Sequence, residues 1–312
     1  MDASDGTERL HPLVANVEAN VSGLRVVLLT SDSPWQRALA NRIAADDALT
    51  LVGVVVQSIP GTMRSTWIRG AIMRQPGVLA KKIVTRLFLR RVMNEIAASE
   101  LDWFGESGKA LDWPDTPVVT VADINESEVV RFLERLGPDV GAVSGTRIIK
   151  EPIFAVKPPD LLLNLHTGLS PYYKGGPSCT LWALSRQEPH LVGATIHVLD
   201  PGIDSGDILL TEFTPLQATD TLGDAVSRTV SHGHDMYVRV LRAIAEGHVP
   251  VGVPQNSLGE GRTFFTREWG PVHLRRASRF VRRGDLARWA TQGFPRDPAT
   301  TLVDSLSGPG GK

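Results

Sequence analysis

The run Leu24-Arg25-Val26-Val27-Leu28-Leu29-Thr30 constrains the fold more than any other stretch of the chain. It is apolar almost without a break, the pattern of a strand covered on both faces, and such strands belong to parallel sheets held between helices. The neighbouring residues fit a strand of that kind. Thr30-Ser31-Asp32-Ser33-Pro34 offers capping side chains and a proline suited to a first helical turn, so the sequence predicts a helix over about 34–45. A second apolar run over 49–56 completes a strand–helix–strand unit. Runs with the same look recur at 117–121, 139–144, 161–166 and 192–199, with a helix-period segment at 126–136 and a long helix expected over 221–246, ended by Gly247. The expected fold is α/β: a Rossmann-like, mostly parallel sheet with at least four parallel strands, flanked by helices.

This pattern assigns 23–247 to one main domain. Residues 1–22 are polar and aperiodic and are expected to be disordered. Residues 58–112 are too many for an ordinary connection and read as a basic helical insertion. Its centre, 78–96, predicts one helix, with Val84, Phe88 and Val92 on one face and Lys82, Arg86 and Arg90 on another. Residues 48–94 hold eight Lys and Arg and no acid, the mark of a solvated basic face or of contact with an anionic ligand, an acidic partner or lipid headgroups. Residues 248–312 form a small C-terminal extension with one strand-like run, Thr263-Phe264-Phe265-Thr266, an Arg-rich segment within 262–283 and a tail expected to be disordered.

Composition removes several function classes. With 33 Lys and Arg against 34 Asp and Glu, the 312-residue chain is neither disordered nor a bulk polyanion binder, and no nucleic-acid partner is expected. The lone Cys179 excludes an intramolecular disulfide and a multi-cysteine zinc cage. Asp200, Asp204 and Asp207 lack the spacing of a calcium loop, and His232 and His234 point to different helix faces, so no metal is expected. No apolar run reaches membrane-span length, so a soluble, cytoplasmic protein is expected, with room for a homodimer.

The chemistry concentrates between residues 161 and 210. Alternation along the strand puts Asn164 and His166 on one side of its C-terminal end, where open α/β sheets bind ligands. The loop Thr167-Gly168-Leu169-Ser170-Pro171-Tyr172-Tyr173-Lys174-Gly175-Gly176-Pro177 can bring main-chain groups close to a ligand, and Pro171, Tyr172, Tyr173, Lys174 and Gly175 are candidate acceptor contacts. The next strand and loop supply Asp200, Asp204 and Asp207. An amide, an imidazole and a carboxylate suit acyl transfer between nitrogens: the amide N–H donates to the oxyanion, a histidine titrating near its ordinary value moves the proton, and the carboxylate orients the imidazole. No Gly-x-Ser-x-Gly elbow occurs, so covalent catalysis is disfavoured.

Asn164-x-His166, the Pro171-x-x-x-Gly175 loop, Gly193-x-Thr195-Ile196-His197 and Asp204-Ser205-Gly206-Asp207-Ile208 together resemble the folate-dependent formyltransferases. The resemblance spans about 24–247 and is strongest over 139–210. It implies a Rossmann-like domain that binds 10-formyltetrahydrofolate and an Asn164–His166–Asp204 triad that passes the formyl group to an amine. It also implies that the backbone at Gly145, Thr146, Arg147 and Ile148 and at Leu199, Asp200, Gly202 and Ile203 receives the pterin. Gly168-Leu169-Ser170-Pro171 replaces the family's usual Ser-Leu-Leu-Pro. The look is nearest to the sugar N-formyltransferases, which implies a nucleotide-linked amino sugar whose diphosphate would meet basic residues in 64–91 or 262–283. A methionyl-tRNA formyltransferase-like enzyme, a formyltetrahydrofolate hydrolase and a non-catalytic folate-binding module are the alternatives.

Overall fold

The computed structural model describes residues 23–58, 76–156, 161–248, 250–292 and 300–306. The expectations of disorder for 1–22 and for the last residues, and the part of the insertion over 59–75, lie outside them. The strands are β1 (Leu24–Ser31), β2 (Leu49–Gln57), β3 (Gly105–Glu106), β4 (Lys109–Ala110), β5 (Val118–Val121), β6 (Val140–Ser144), β7 (Leu162–His166), β8 (Lys174–Gly175), β9 (Gly193–Val198), β10 (Ile208–Phe213) and β11 (Thr263–Phe264). The helices are α1 (Pro34–Ala44), α2 (Pro76–Phe88), α3 (Arg90–Phe104), α4 (Ser127–Leu136), α5 (Glu151–Phe154), α6 (Cys179–Ser185), α7 (Leu222–Ala245), α8 (Pro271–Arg282) and α9 (Asp285–Gln292).

Seven strands form one sheet in the order β10-β9-β7-β6-β1-β2-β5. The five from β7 to β5 are parallel, as the continuous apolar runs require. The run at 192–199 instead lies antiparallel to β7, and β10 returns antiparallel to it. Period-2 alternation sorts β1 between two layers. Val26 and Leu28 pack with Leu39 and Ile43 of α1 and Met236, Val240 and Leu241 of α7. Val27 and Leu29 pack with Val129, Phe132 and Leu133 of α4 and Ile153 of α5. A third cluster joins α6 to Phe264, Leu274 and Phe280, fastening the C-terminal extension to the main domain.

Helices α1, α6 and α7 begin at side-chain caps. Ser33 caps α1 with Pro34 following, and Thr221 and Asp224 form a reciprocal capping box on α7. Gly247, just beyond α7, takes φ +83°, the left-handed conformation that glycine adopts without strain. The basic helix expected over 78–96 is a correction: it kinks at Leu89 (φ −121°, ψ 21°) into α2 and α3. Val92, Ser99 and Phe104 of α3 are buried, whereas Val84 and Phe88 of α2 face solvent, so the stripe Val84–Phe88–Val92 is not one core face. Tertiary packing of α3 on α7 sets that change of direction, which periodicity cannot register.

From β1 the chain builds outward through β2 to β5, then returns to β6 and β7 on the other side. A crevice therefore opens at the carboxyl ends of β1 and β6, where Thr30 Oγ1 donates to the Ser144 carbonyl at 2.8 Å. The neighbouring strands are tied by Tyr237 of α7, whose hydroxyl accepts from Val143 N at 2.8 Å and donates to Leu163 O at 2.6 Å. Tyr237→Phe removes two hydrogen bonds to buried backbone groups of the β6–β7 ladder, one residue from Asn164. A loss of about 1–3 kcal/mol in denaturant-measured stability is expected.

Candidate active site

Strand β7 delivers Asn164 and His166 on one side of its C-terminal end, and the β9–β10 loop brings Asp204 across to them. Asp204 Oδ2 lies 3.4 Å from His166 Nδ1 and accepts the Gly175 N–H at 2.8 Å. Its Oδ1 accepts from Asn164 Nδ2 at 3.4 Å. Of the three carboxylates in that loop, Asp204 is the one facing the pair, while Asp200 accepts the Ser205 hydroxyl and the Gly202 N–H and holds the loop's own turn. Asp204 sits at φ +45°, a backbone region that Asp tolerates better than most residues. The Gln255 side chain secures it by donating to the Asp204 and Gly206 carbonyls at 2.7 and 2.8 Å.

The partners of His166 fix its protons. Nε2 is 2.9 Å from the Tyr173 carbonyl, which can only accept, so Nε2 carries a hydrogen and Nδ1, facing Asp204, is the nitrogen that titrates. Burial pulls the imidazole down, but the Asp204 carboxylate, with the Cys179 sulfur and the Tyr173 carbonyl, reverses that and pushes it up to about 9. Burial likewise opposes charge on Asp204, yet His166, then His197, whose Nε2 lies 3.6 Å from Asp204 Oδ1, and the Gly175 N–H hold it well below the usual carboxylate range. The pair is thus imidazolium and carboxylate at neutral pH, a correction to the expectation of a histidine near its ordinary value.

His197, which ends the Gly193-x-Thr195-Ile196-His197 motif and had no role assigned by its spacing, completes the cluster. Its Nδ1 donates to Val198 O at 2.8 Å, leaving Nε2 to accept from Asn164 Nδ2 at 3.0 Å. Both amide hydrogens of Asn164 are therefore directed at rest, a short one to His197 and a long one to Asp204. The long one is the one a developing oxyanion can draw away.

Asn164, His166, Gly175 and Asp204 line a cleft of about 770 Å³, with His197 buried behind it. Gly145, Thr146, Arg147, Ile148, Leu199, Asp200, Gly202 and Ile203, the residues expected to receive a pterin, all border it. Arg147 N donates to Gln57 Oε1, and Asn125 pins the loop through Ile148 O and Lys150 N. Ile148 and Ile203 stay exposed at its rim, apolar surface that a flat heterocycle would cover. Volume, exposed apolar rim and peptide groups suit a folate.

Of the five loop residues expected to meet the acceptor, Gly175 alone lines the cleft. Tyr173 is fully buried, stacked on Phe264 at 4.8 Å with Arg262 over its other side, its hydroxyl bonded to Glu188. The Tyr172 hydroxyl accepts from Thr301 N, the Pro171 carbonyl accepts from Arg262 N, and Lys174 pairs with Thr263 in the β8–β11 ladder. The physical reason is shared: the C-terminal extension covers this loop and turns its side chains into packing. The same extension puts Phe264, Phe265 and Thr266 on the cleft wall, a contribution for which the strand-like run at 263–266 was the only sequence signal. Among the described residues, no cluster of His, Cys, Asp and Glu side chains is arranged to hold a metal ion.

The formyl transferase family model matches residues 80–241. The chain belongs to that family. The methionyl-tRNA formyltransferase of Syntrophus aciditrophicus is 29% identical over 156 residues, which cover 50% of this chain and 49% of that protein. That of Chloroflexus aggregans is 31% identical over 157 residues, 50% of each chain. The chain thus spans about half the length of the curated relatives it matches. A solved sugar N-formyltransferase from Shewanella sp FDAARGOS_354 superposes with a TM-score of 0.50 over 81% of this chain and 87% of that one, at 14% identity, a likeness of fold alone.

Proposed function

We propose that this formyl transferase family member moves the formyl group of 10-formyltetrahydrofolate to the amine of a small acceptor, a nucleotide-linked amino sugar. The observation that carries the transfer is the meeting of Asn164, His166 and Asp204 at the floor of a cleft bordered by all eight residues expected around the pterin. For the acceptor, a second cavity of about 370 Å³ opens at the β1–β6 crevice, lined by Ser31, Asp32, Gln57, Ser58, Gly145, Thr146 and Arg147. Arg147 borders both cavities, a position suited to a diphosphate next to the reacting carbon.

The neutral acceptor nitrogen attacks the formyl carbon and its carbonyl becomes an oxyanion. The His166 imidazolium and the Asn164 amide meet that charge. As the bond from the formyl carbon to the folate nitrogen breaks, the departing nitrogen takes a proton and the acceptor nitrogen gives one up, with His166 Nδ1 as the relay and Asp204 holding it charged. The 3.4 Å gap between Nδ1 and Asp204 is longer than a charge-assisted hydrogen bond, which leaves that proton free to shift.

A methionyl-tRNA acceptor is the second reading, favoured by the relatives that bear that name. Purified protein incubated with 10-formyltetrahydrofolate and either thymidine- or uridine-diphosphate amino sugars or initiator methionyl-tRNA separates them by the mass gain of a formyl group. Transfer to the sugar supports the proposal, transfer to the tRNA supports the second reading, and formate release without any amine overturns both.

A further inference from the structure

Helix α2 is amphipathic in the opposite sense to most surface helices. Ile83, Leu87 and Phe88 are 50%, 69% and 78% exposed and Val84 is also exposed, whereas Thr85 and Leu89, on the other side, are half-buried. At 100° per residue the four exposed apolar side chains occupy an arc of roughly 140°. Arg86 and Lys81 border the two edges of that arc. Lys81 Nζ donates to the Arg267 carbonyl and its stem runs beside Gly270, so the helix is held to the body by its polar side while the apolar arc faces outward. Arg86, Arg90 and Arg91 are exposed and form no ion pair among the described residues. Helix α8, packed beside α2, adds exposed Arg275, Arg276 and Arg279. No acidic residue occurs between Asp47 and Glu95.

We infer that α2 docks the protein on an anionic lipid surface, with Ile83, Val84, Leu87 and Phe88 entering the headgroup boundary and the arginines meeting lipid phosphates. Charge and shape together select that occupant. A second copy packed α2 against α2 would set Arg86, Arg90 and Arg91 against their own kind, since residues 48–94 carry no acid to offset them. A nucleic acid supplies phosphates but nothing to cover Leu87 and Phe88. A lipid surface accepts a single convex helix about 20 Å long without a preformed groove, and offers an apolar layer beneath an anionic one. No helix among the described residues is long and apolar enough to cross a membrane, so the attachment is peripheral.

Co-sedimentation with vesicles tests this, using phosphatidylcholine alone and phosphatidylcholine with about one-third phosphatidylglycerol. Wild type is expected to pellet with the anionic vesicles at low salt, to stay in solution with the neutral ones, and to be released as salt is raised. Leu87→Glu with Phe88→Glu is expected to weaken partitioning at least about tenfold. Neutralising Arg86, Arg90 and Arg91 to Gln is expected to weaken it by on the order of a hundredfold, since each cation near such a surface contributes about fivefold. Unchanged thermal midpoints establish that the variants fold, and exposed positions make that the expected result. Wild type that binds neither vesicle, or variants of native midpoint that bind as wild type does, overturns the inference. So does a self-associated form that the same variants dissociate without any vesicle binding.

Discussion

Asp204→Asn is expected to lower formyl transfer between about a hundredfold and ten-thousandfold while leaving the chain folded. The substitution keeps shape and can still accept the Gly175 N–H, but it removes the charge that holds His166 protonated against its burial. His166 then loses the proton that meets the oxyanion, and His166→Ala is expected to fall into the same range. A stability signature separates this from simple misfolding. The folded pKa of His166, about 9, lies above its unfolded value of about 6.5. The His166–Asp204 attraction is therefore fully present below about pH 6.5 and is lost as pH rises through about 9. At about 1.4 kcal/mol per pH unit the wild-type decline across that window is roughly 3 kcal/mol, and Asp204, held below the usual carboxylate range, is ionised in both states throughout it and adds nothing to the slope. In Asp204→Asn that decline should vanish. Chemical denaturation between pH 6 and 10, with the His166 ring followed by NMR, reads both effects. A His166 resonance that titrates near its ordinary value in wild type would remove the imidazolium from the mechanism.

The parts of this picture that were legible in the sequence are those encoded locally. The unbroken apolar run of β1 announced burial on both faces, and Asn164-x-His166 placed two side chains on one side of a strand end whatever else the fold did. What escaped depends on residues far apart in the chain. Tyr173 looks like an exposed loop residue until Phe264 and Arg262, some ninety positions later, cover it. His197 acquires a task only because β9 runs antiparallel beside β7, which brings it opposite Asn164 in register. The protonation state of His166 was equally hidden, since burial and the Asp204 charge act in opposite directions and only their distances decide which wins. The kink at Leu89 has no proline or glycine to mark it.

Gly175→Ala is expected to damage stability and chemistry together. Gly175 sits at φ +85°, where an alanine costs about 1–2 kcal/mol, and the added Cβ would lie 2.1 Å from the Phe264 carbonyl oxygen. That neighbour is backbone in the β8–β11 ladder and also accepts the Gly176 N–H, so relief requires the two short strands to part. Adding a typical overpacking cost, the total should reach at least about 3 kcal/mol, seen as a lower denaturant midpoint with little change in slope. The chemical consequence arises from the same atoms. The Gly175 N–H is one of the bonds that hold Asp204 as a carboxylate, and the Tyr173 carbonyl two residues earlier fixes the His166 tautomer. Moving this strand loosens both ends of the ion pair, so turnover should fall even at temperatures where the variant stays folded. Gly176→Ala is the control, because its Cβ would meet only the Thr266 hydroxyl at an ordinary 3.7 Å. If the two variants lose stability and activity equally, the left-handed turn at Gly175 is not what seats Asp204. If Gly175→Ala alone fails, the short β8–β11 ladder made by the C-terminal extension is part of what holds the carboxylate in place.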